Sequence, residues 1–325
     1  MSKRFLTYNK QMKYLRDEKN IVCSGTDDKI ILCRNGYFNL INGYKTPFVN
    51  HVDSNGKHYY YPDTSVEKIA LVKNFDESLK MLLLQYITKA EEEVRTFSGY
   101  KFDQINYESG NKWFDVASYD NFCNPVQSIV SMISKSYSEV SKSELEYVKF
   151  YLEKHSEIPT WIYVKVINFS TFISFINCCK NSIKDSLCQL YNIFDSKGRY
   201  SYKLLIGALH WMRKVRNACA HNERIYCLVR KGGRIKETYI ESMPSKTYTK
   251  EREQRILDLL IYLKYFLHHV DYECMIKEIK SMLINLQEVL TKNVFDKIRA
   301  SMGIKNLSDL DDLLFVKNIK KYNRF

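Results

Sequence analysis

Chain-breaking residues are scarce: 325 residues include five prolines and eleven glycines. That scarcity argues against an all-β architecture with many tight turns and against long irregular stretches, and it makes helices the leading expectation. No stretch reaches the roughly 18 uncharged apolar residues that a membrane-spanning helix needs. The nearest, Trp161 to Cys179, carries Lys165 and several Ser, Thr and Asn, and reads as one buried helix. Nine cysteines are an odd number for a disulfide framework, and none forms a Cys-x-x-Cys pair with a second pair or a His partner at zinc spacing. Neither a metal nor another cofactor is therefore expected. The opening MSKRFLTYNKQMKYL breaks its apolar residues with Lys and Gln and lacks the apolar core of a signal peptide. A reducing cytoplasm, away from membranes, is the expected location.

What the chain does have is a 45% hydrophobic content, enough for a substantial core, and a formal charge of +13. The charge favours polyanionic partners, with RNA, DNA and anionic membranes all open. Residues 6 to 19, with Thr7 as a candidate N-cap, and Asp27 to about Asn35 read as short helices. From Gly43 to Thr64 the pattern changes to a loop or small hairpin with Asn55-Gly56 at its turn, the best candidate for a domain boundary. A long amphipathic helix begins at Ser65, where Ile69, Val72, Phe75, Leu79, Leu82, Leu83, Tyr86, Ile87, Ala90 and Val94 recur at steps of three and four. Further helices are expected near 121–137, 141–155, 160–179, 182–194, 201–220, 250–271 and 272–290. The expected fold is all-α: a small N-terminal helical unit over 1–64, a helical domain over 65–304 and a tail from 305, where a short acidic helix precedes a basic end. One β-hairpin insertion is expected at about 225–240, where two β-prone runs flank Gly232-Gly233.

The segment RKVRNACAHNERIY, at the end of the helix from Ser201, carries the chemistry. Asn217 and His221 are one turn apart on one face, and Arg216 reaches toward them on its long side chain. An Arg, an amide and a His suit RNA transesterification, in which the ribose 2′-hydroxyl attacks the adjacent phosphorus and no metal is required. Imidazoles exchange protons near neutral pH, and guanidinium grips phosphate and stabilises the charge that builds on it. Arg216, Asn217 and His221 are the candidate catalytic residues, with Asn217 expected to orient the imidazole or hold the ribose. Arg213 and Arg224 flank them as candidate RNA contacts, and Arg230, Lys231, Arg234 and Lys236 decorate the expected hairpin.

Arg216-Asn217-Ala218-Cys219-Ala220-His221 resembles the Arg-x4-6-His motif of HEPN ribonucleases. Separate blocks extend the resemblance to bacterial abortive-infection proteins of the AbiD and AbiF type, related to the HEPN domains of type VI CRISPR effectors. They are FLTYNKQMKYL, CRNGYFNLINGYKTPF, FDESLKMLLLQYITKAEEEVRT, EIPTWIYVKVINFSTFISF and VRNACAHNERIY, which together span roughly residues 5 to 230. The resemblance implies a HEPN-like bundle and a phage-defence RNA endonuclease toxin. It also implies a composite site in which two Arg-His sets face each other; this chain has one set, so a homodimer is expected. Asn222 and Tyr226 stand where a second His or polar residue and a Trp often occur in that family, which leaves base preference open.

Alternatives for the same sequence are an RNA-binding HEPN protein held by a structured noncoding RNA that guides or inhibits it, as an antitoxin would, and a non-catalytic HEPN scaffold. Glu91, Glu92, Glu93 and Arg95 read as a solvated helical face, with pairing between one of them and Arg216 the competing reading. His268 and His269 read as packing or capping residues, and Trp161, Tyr163, Phe169, Phe172 and Phe175 as core rather than a base-stacking platform.

Overall fold

The computed structural model describes residues 5–155, 157–195, 197–231 and 253–315. Its organising element is α3, Val66–Asn106, a 41-residue helix about 60 Å long. The Ser65 hydroxyl starts it by accepting the Lys68 N–H at 3.1 Å, an ordinary N-cap. Its apolar stripe is buried, with Ile69, Val72, Leu79, Leu83, Ile87 and Val94 fully inaccessible. Before it come α1, Tyr8–Lys19, and α2, Gly25–Asn35. The strands β1, Val49–Val52, and β2, His58–Tyr60, then pair antiparallel across the turn that contains Asn55-Gly56. That hairpin lies where the sequence signalled it.

After α3 follow α4, Val126–Ser141, α5, Glu146–Lys154, α6, Thr160–Val166, α7, Phe169–Cys178, α8, Asn181–Tyr191, and α9, Tyr202–Ala220. The chain closes with α10, Ile256–Phe266, α11, His269–Val289, α12, Lys292–Ser301, and α13, Ser308–Phe315. Helices α6, α8, α9 and α11 pack around α3, and the result is the expected all-α bundle. The approach of α6 is close: a Cβ on Gly99 of α3 would sit 3.1 Å from a Val164 methyl. One apolar core runs from Leu15 to Leu313.

Two expected helices are divided differently. The stretch 160–179 is not one helix but α6 and α7, broken at Ile167-Asn168. Polar groups hold the break. Asn168 caps α7 by accepting the Thr171 N–H at 2.9 Å, and Glu139 of α4 takes the Asn168 backbone N–H at 2.8 Å and the Thr171 hydroxyl at 2.7 Å. Arg95 of α3 donates to the Ile167 carbonyl at 2.9 Å and to that of Val164, satisfying the end of α6. The second break falls at Leu267-His268, where the His268 ring accepts the Val270 N–H at 3.4 Å and caps α11. His268 is thus a capping residue, as read. Tyr163, Phe169, Phe172 and Phe175 are buried, but Trp161 is 59% exposed and is not part of the core.

Of the hairpin expected at 225–240, residues 225–231 are described and form no strand. Leu228 turns back on the Ile225 carbonyl at 2.9 Å, and Arg230 makes a single antiparallel bridge to Gln254. The remainder, including Arg234 and Lys236, lies outside the described residues, as does the basic end after α13. Among the described residues no helix is long and apolar enough to cross a membrane.

Candidate functional site at the end of helix α9

Helix α9 is fixed from within by Leu204, Leu205, Ala208, Trp211, Met212 and Val215, all fully buried. It ends at His221 in a Schellman motif. The Glu223 N–H reaches the Ala218 carbonyl at 2.8 Å and the Asn222 N–H that of Cys219 at 3.1 Å, with Asn222 in the left-handed region at φ 55°. Asn tolerates that conformation better than most residues, and its side chain adds an anchor: Lys80 of α3 donates to Asn222 Oδ1 at 2.7 Å. His221 is thereby presented, exposed, at a rigidly held helix end.

The segment after it is tied down by Asp76 of α3, which is completely buried. Asp76 Oδ1 accepts the backbone N–H groups of Ile225 at 3.1 Å and Tyr226 at 2.8 Å, and Oδ2 accepts the Tyr44 hydroxyl at 2.9 Å. The Lys80 ammonium lies 3.6 Å from Oδ2. Burial, and then the neighbouring Asp76, push the Tyr44 hydroxyl up, so it stays protonated and donates. Asp76 therefore joins the motif's exit, the turn before β1 and α3 in one buried network.

On the other flank, Arg216 donates to Asn217 Oδ1 at 3.2 Å. Asn217 thus contacts the guanidinium of its neighbour. Arg216 Nε also lies 3.8 Å from Glu91 Oε2. Glu91 is buried, and its other oxygen is occupied: Oε1 accepts from Arg95 Nε at 2.9 Å and Nη2 at 2.7 Å. Burial pulls the Arg95 guanidinium down while Glu91 holds it up. Arg95 also stacks over Phe172, 4.7 Å from the ring centre. The solvated-face reading fails for these two residues and holds for the exposed Glu92. One carboxylate facing two guanidiniums leaves a net positive charge. Because the Arg216 side chain is 40% exposed, its pairing with Glu91 is worth only about 0.2–1 kcal/mol, little enough for a bidentate phosphate to displace.

Two clefts meet at His221. The smaller, about 410 Å³, is lined by His210, Arg213, Asn217, His221 and Arg230, among others. Half burial, then Arg213 and Arg230, hold the His210 imidazole below its ordinary range and keep it neutral. Arg213 is braced on the Ser170 hydroxyl at 2.9 Å, and Arg230 on the Gly207 carbonyl at 2.8 Å. The larger cleft, about 820 Å³, runs from His221 past Arg224 to the turn after α2. Arg224 donates to the Gly43 carbonyl there. Lys231 is exposed just beyond Arg230. The four described candidates for RNA contact thus lie on or beside these two clefts. Among the described residues, no three His, Cys, Asp or Glu side chains come together as metal ligands do.

Sequence reasoning missed Asp76, Lys80, Tyr44 and His210. A signal for Asp76 was present: it falls on the stripe Val72, Leu79, Leu83, where an ionised residue needs partners.

A family model described as Abi-like protein matches residues 30–227, more than half of the chain. The chain belongs to the Abi-like protein family. Membership associates this Abi-like protein with abortive infection, a phage-defence response. The matched region runs from α2 through α3 and the whole of α9 to Cys227, so it contains Asp76, Glu91, Arg216 and His221. No curated protein and no solved structure matches the chain significantly.

Proposed function

We propose that this Abi-like protein is a phage-defence RNA endonuclease of the HEPN type, close to the AbiD and AbiF group, that cleaves RNA without a metal. The observation that carries the reading is the grouping at the end of α9. There Arg216 is held by Asn217 and only weakly by Glu91, while His221 stands exposed at the junction of two clefts. Arg216 leaves Glu91 to grip the scissile phosphate and stabilise its developing charge. An imidazole takes the 2′-hydroxyl proton as the oxygen attacks phosphorus; the bond to the 5′-oxygen breaks, and that oxygen takes up a proton. The products are a 2′,3′-cyclic phosphate and a 5′-hydroxyl.

Base and acid act on opposite sides of phosphorus, and each chain supplies one His221. A homodimer with two facing Arg216-His221 sets provides both. Labelled RNA incubated with wild type, Arg216→Ala and His221→Ala tests this: cleavage by wild type and its loss, by about 100-fold or more, in both variants is expected. Cleavage that survives both substitutions removes the site. Full-rate cleavage by a strictly monomeric protein would remove the composite arrangement alone.

A further inference from the structure

The 820 Å³ cleft extends well beyond the atoms that proton transfer and phosphate binding use. Its volume is in the range of small-molecule sites, about 300–1,000 Å³, and its far wall comes from the N-terminal part of the chain. Gly36, at φ 72°, ends α2, and residues Phe38–Asn42 then form a single π-helical turn, a form often found at functional sites. That turn sinks Leu40 and Ile41 into the core, yet leaves Phe38 75% exposed on the cleft. A lone exposed Phe is ordinary. Here, however, it shares one cleft with Asn39, Arg34, Lys73 and His221.

The amides lining this wall differ in use. Asn35 donates to the Ile31 carbonyl at 2.9 Å and Asn42 accepts from Lys45 at 3.1 Å, whereas Asn39 is exposed. An exposed ring, an exposed amide and the exposed Arg34 guanidinium are the elements that bind an unstacked nucleotide: ring on base, amide on base edge, cation on phosphate; Lys73 is already paired with Glu77. A duplex would not present its bases to such a ring, because they are stacked on one another.

We infer that this cleft is a nucleobase subsite for single-stranded RNA, taking one unstacked base beside the phosphate at His221. Phe38 stacks on the base, Asn39 reads its edge, and Arg34 holds the flanking backbone. The placement beside the scissile phosphate rests on the RNA-cleaving reading above; the binding itself does not require cleavage.

The test is fluorescence anisotropy at one fixed salt concentration with a labelled single-stranded RNA and its duplex, using His221→Ala protein so that the probe stays intact. Adding Phe38→Ala should weaken single-strand binding about tenfold and leave duplex binding unchanged, and Phe38→Tyr should restore it. Asn39→Ala in the otherwise wild-type chain should alter which nucleotide borders the cleavage sites. Equal affinity with and without the Phe38 ring overturns the subsite, and does so even if Arg216 and His221 prove essential for cleavage. Size-exclusion chromatography supplies another way to fail: if Phe38→Ala turns a dimer into monomers, the ring packs against a second copy. Phe38-dependent binding by a protein that never cleaves RNA would keep the subsite and remove the enzyme reading.

Discussion

Helix α3 brings two buried carboxylates to the end of α9, about 22 Å apart along its axis, and they are used in opposite ways. Asp76 has both oxygens engaged, by two backbone N–H groups, a tyrosine hydroxyl and a lysine. Glu91 has one oxygen engaged by Arg95, while Oε2 is buried without a hydrogen bond, 3.8 Å from Arg216. A saturated carboxylate fixes whatever it touches. A half-used one, next to a half-exposed guanidinium, holds that group loosely in readiness. The exit from the motif is therefore anchored rigidly, and the proposed phosphate-gripping residue is not.

The sharpest way to break that contrast is Asp76→Ala. It strands two backbone donors and the Tyr44 hydroxyl, and it removes the charge partner of the buried Lys80 ammonium, which keeps only Asn222, so a loss of about 3–5 kcal/mol in denaturant unfolding is expected. A loss below about 1 kcal/mol would mean that the exit segment is not anchored there.

Glu91→Gln should cost less, about 1–3 kcal/mol, because the amide oxygen can still accept from Arg95. In the proposed RNA cleavage its effect should fall on kcat more than on KM, since Glu91 acts through Arg216. An effect on unfolding equal to that of Asp76→Ala, with kcat unchanged, would erase the distinction between the two carboxylates.

The smallest effect belongs to His210, whose imidazole is depressed by burial and by Arg213 and Arg230. A depressed folded-state value means that its contribution to stability is present above the ordinary histidine range, near about 6.5, and is lost as pH falls through the folded value. His210→Gln should therefore lose less stability than wild type between about pH 6.5 and 5. Parallel pH profiles for the two proteins would show that His210 is not held neutral.

The bundle was legible because its evidence is local. Ser65, the three-and-four spacing along α3 and the Asn55-Gly56 turn each act on their own neighbours in sequence. Breaks held by distant residues were not. The interruption at Asn168 depends on Glu139 and Arg95, and nothing within residues 160–179 announces either partner. The site divided along the same line. The grouping of Arg216, Asn217 and His221 follows from spacing on one helix, but the contact between Asn217 and Arg216 is a choice of rotamer that spacing does not make. Glu91 was readable in part, since it sits on the stripe formed by Ile87, Ala90 and Val94; its bond to Arg95 depends on burial by other helices.

In the proposed reaction the end of α9 catalyses attack by the substrate's own 2′-hydroxyl. The most direct measurement is the chemistry of the new RNA ends formed by wild-type protein in EDTA, with an otherwise identical RNA carrying a 2′-deoxy sugar at the cleavage site for comparison. The expected outcome is 2′,3′-cyclic phosphate and 5′-hydroxyl ends and no cut at the deoxy position. Cleavage at the deoxy position, or 3′-hydroxyl and 5′-phosphate ends that appear only when a divalent metal is supplied, would contradict it.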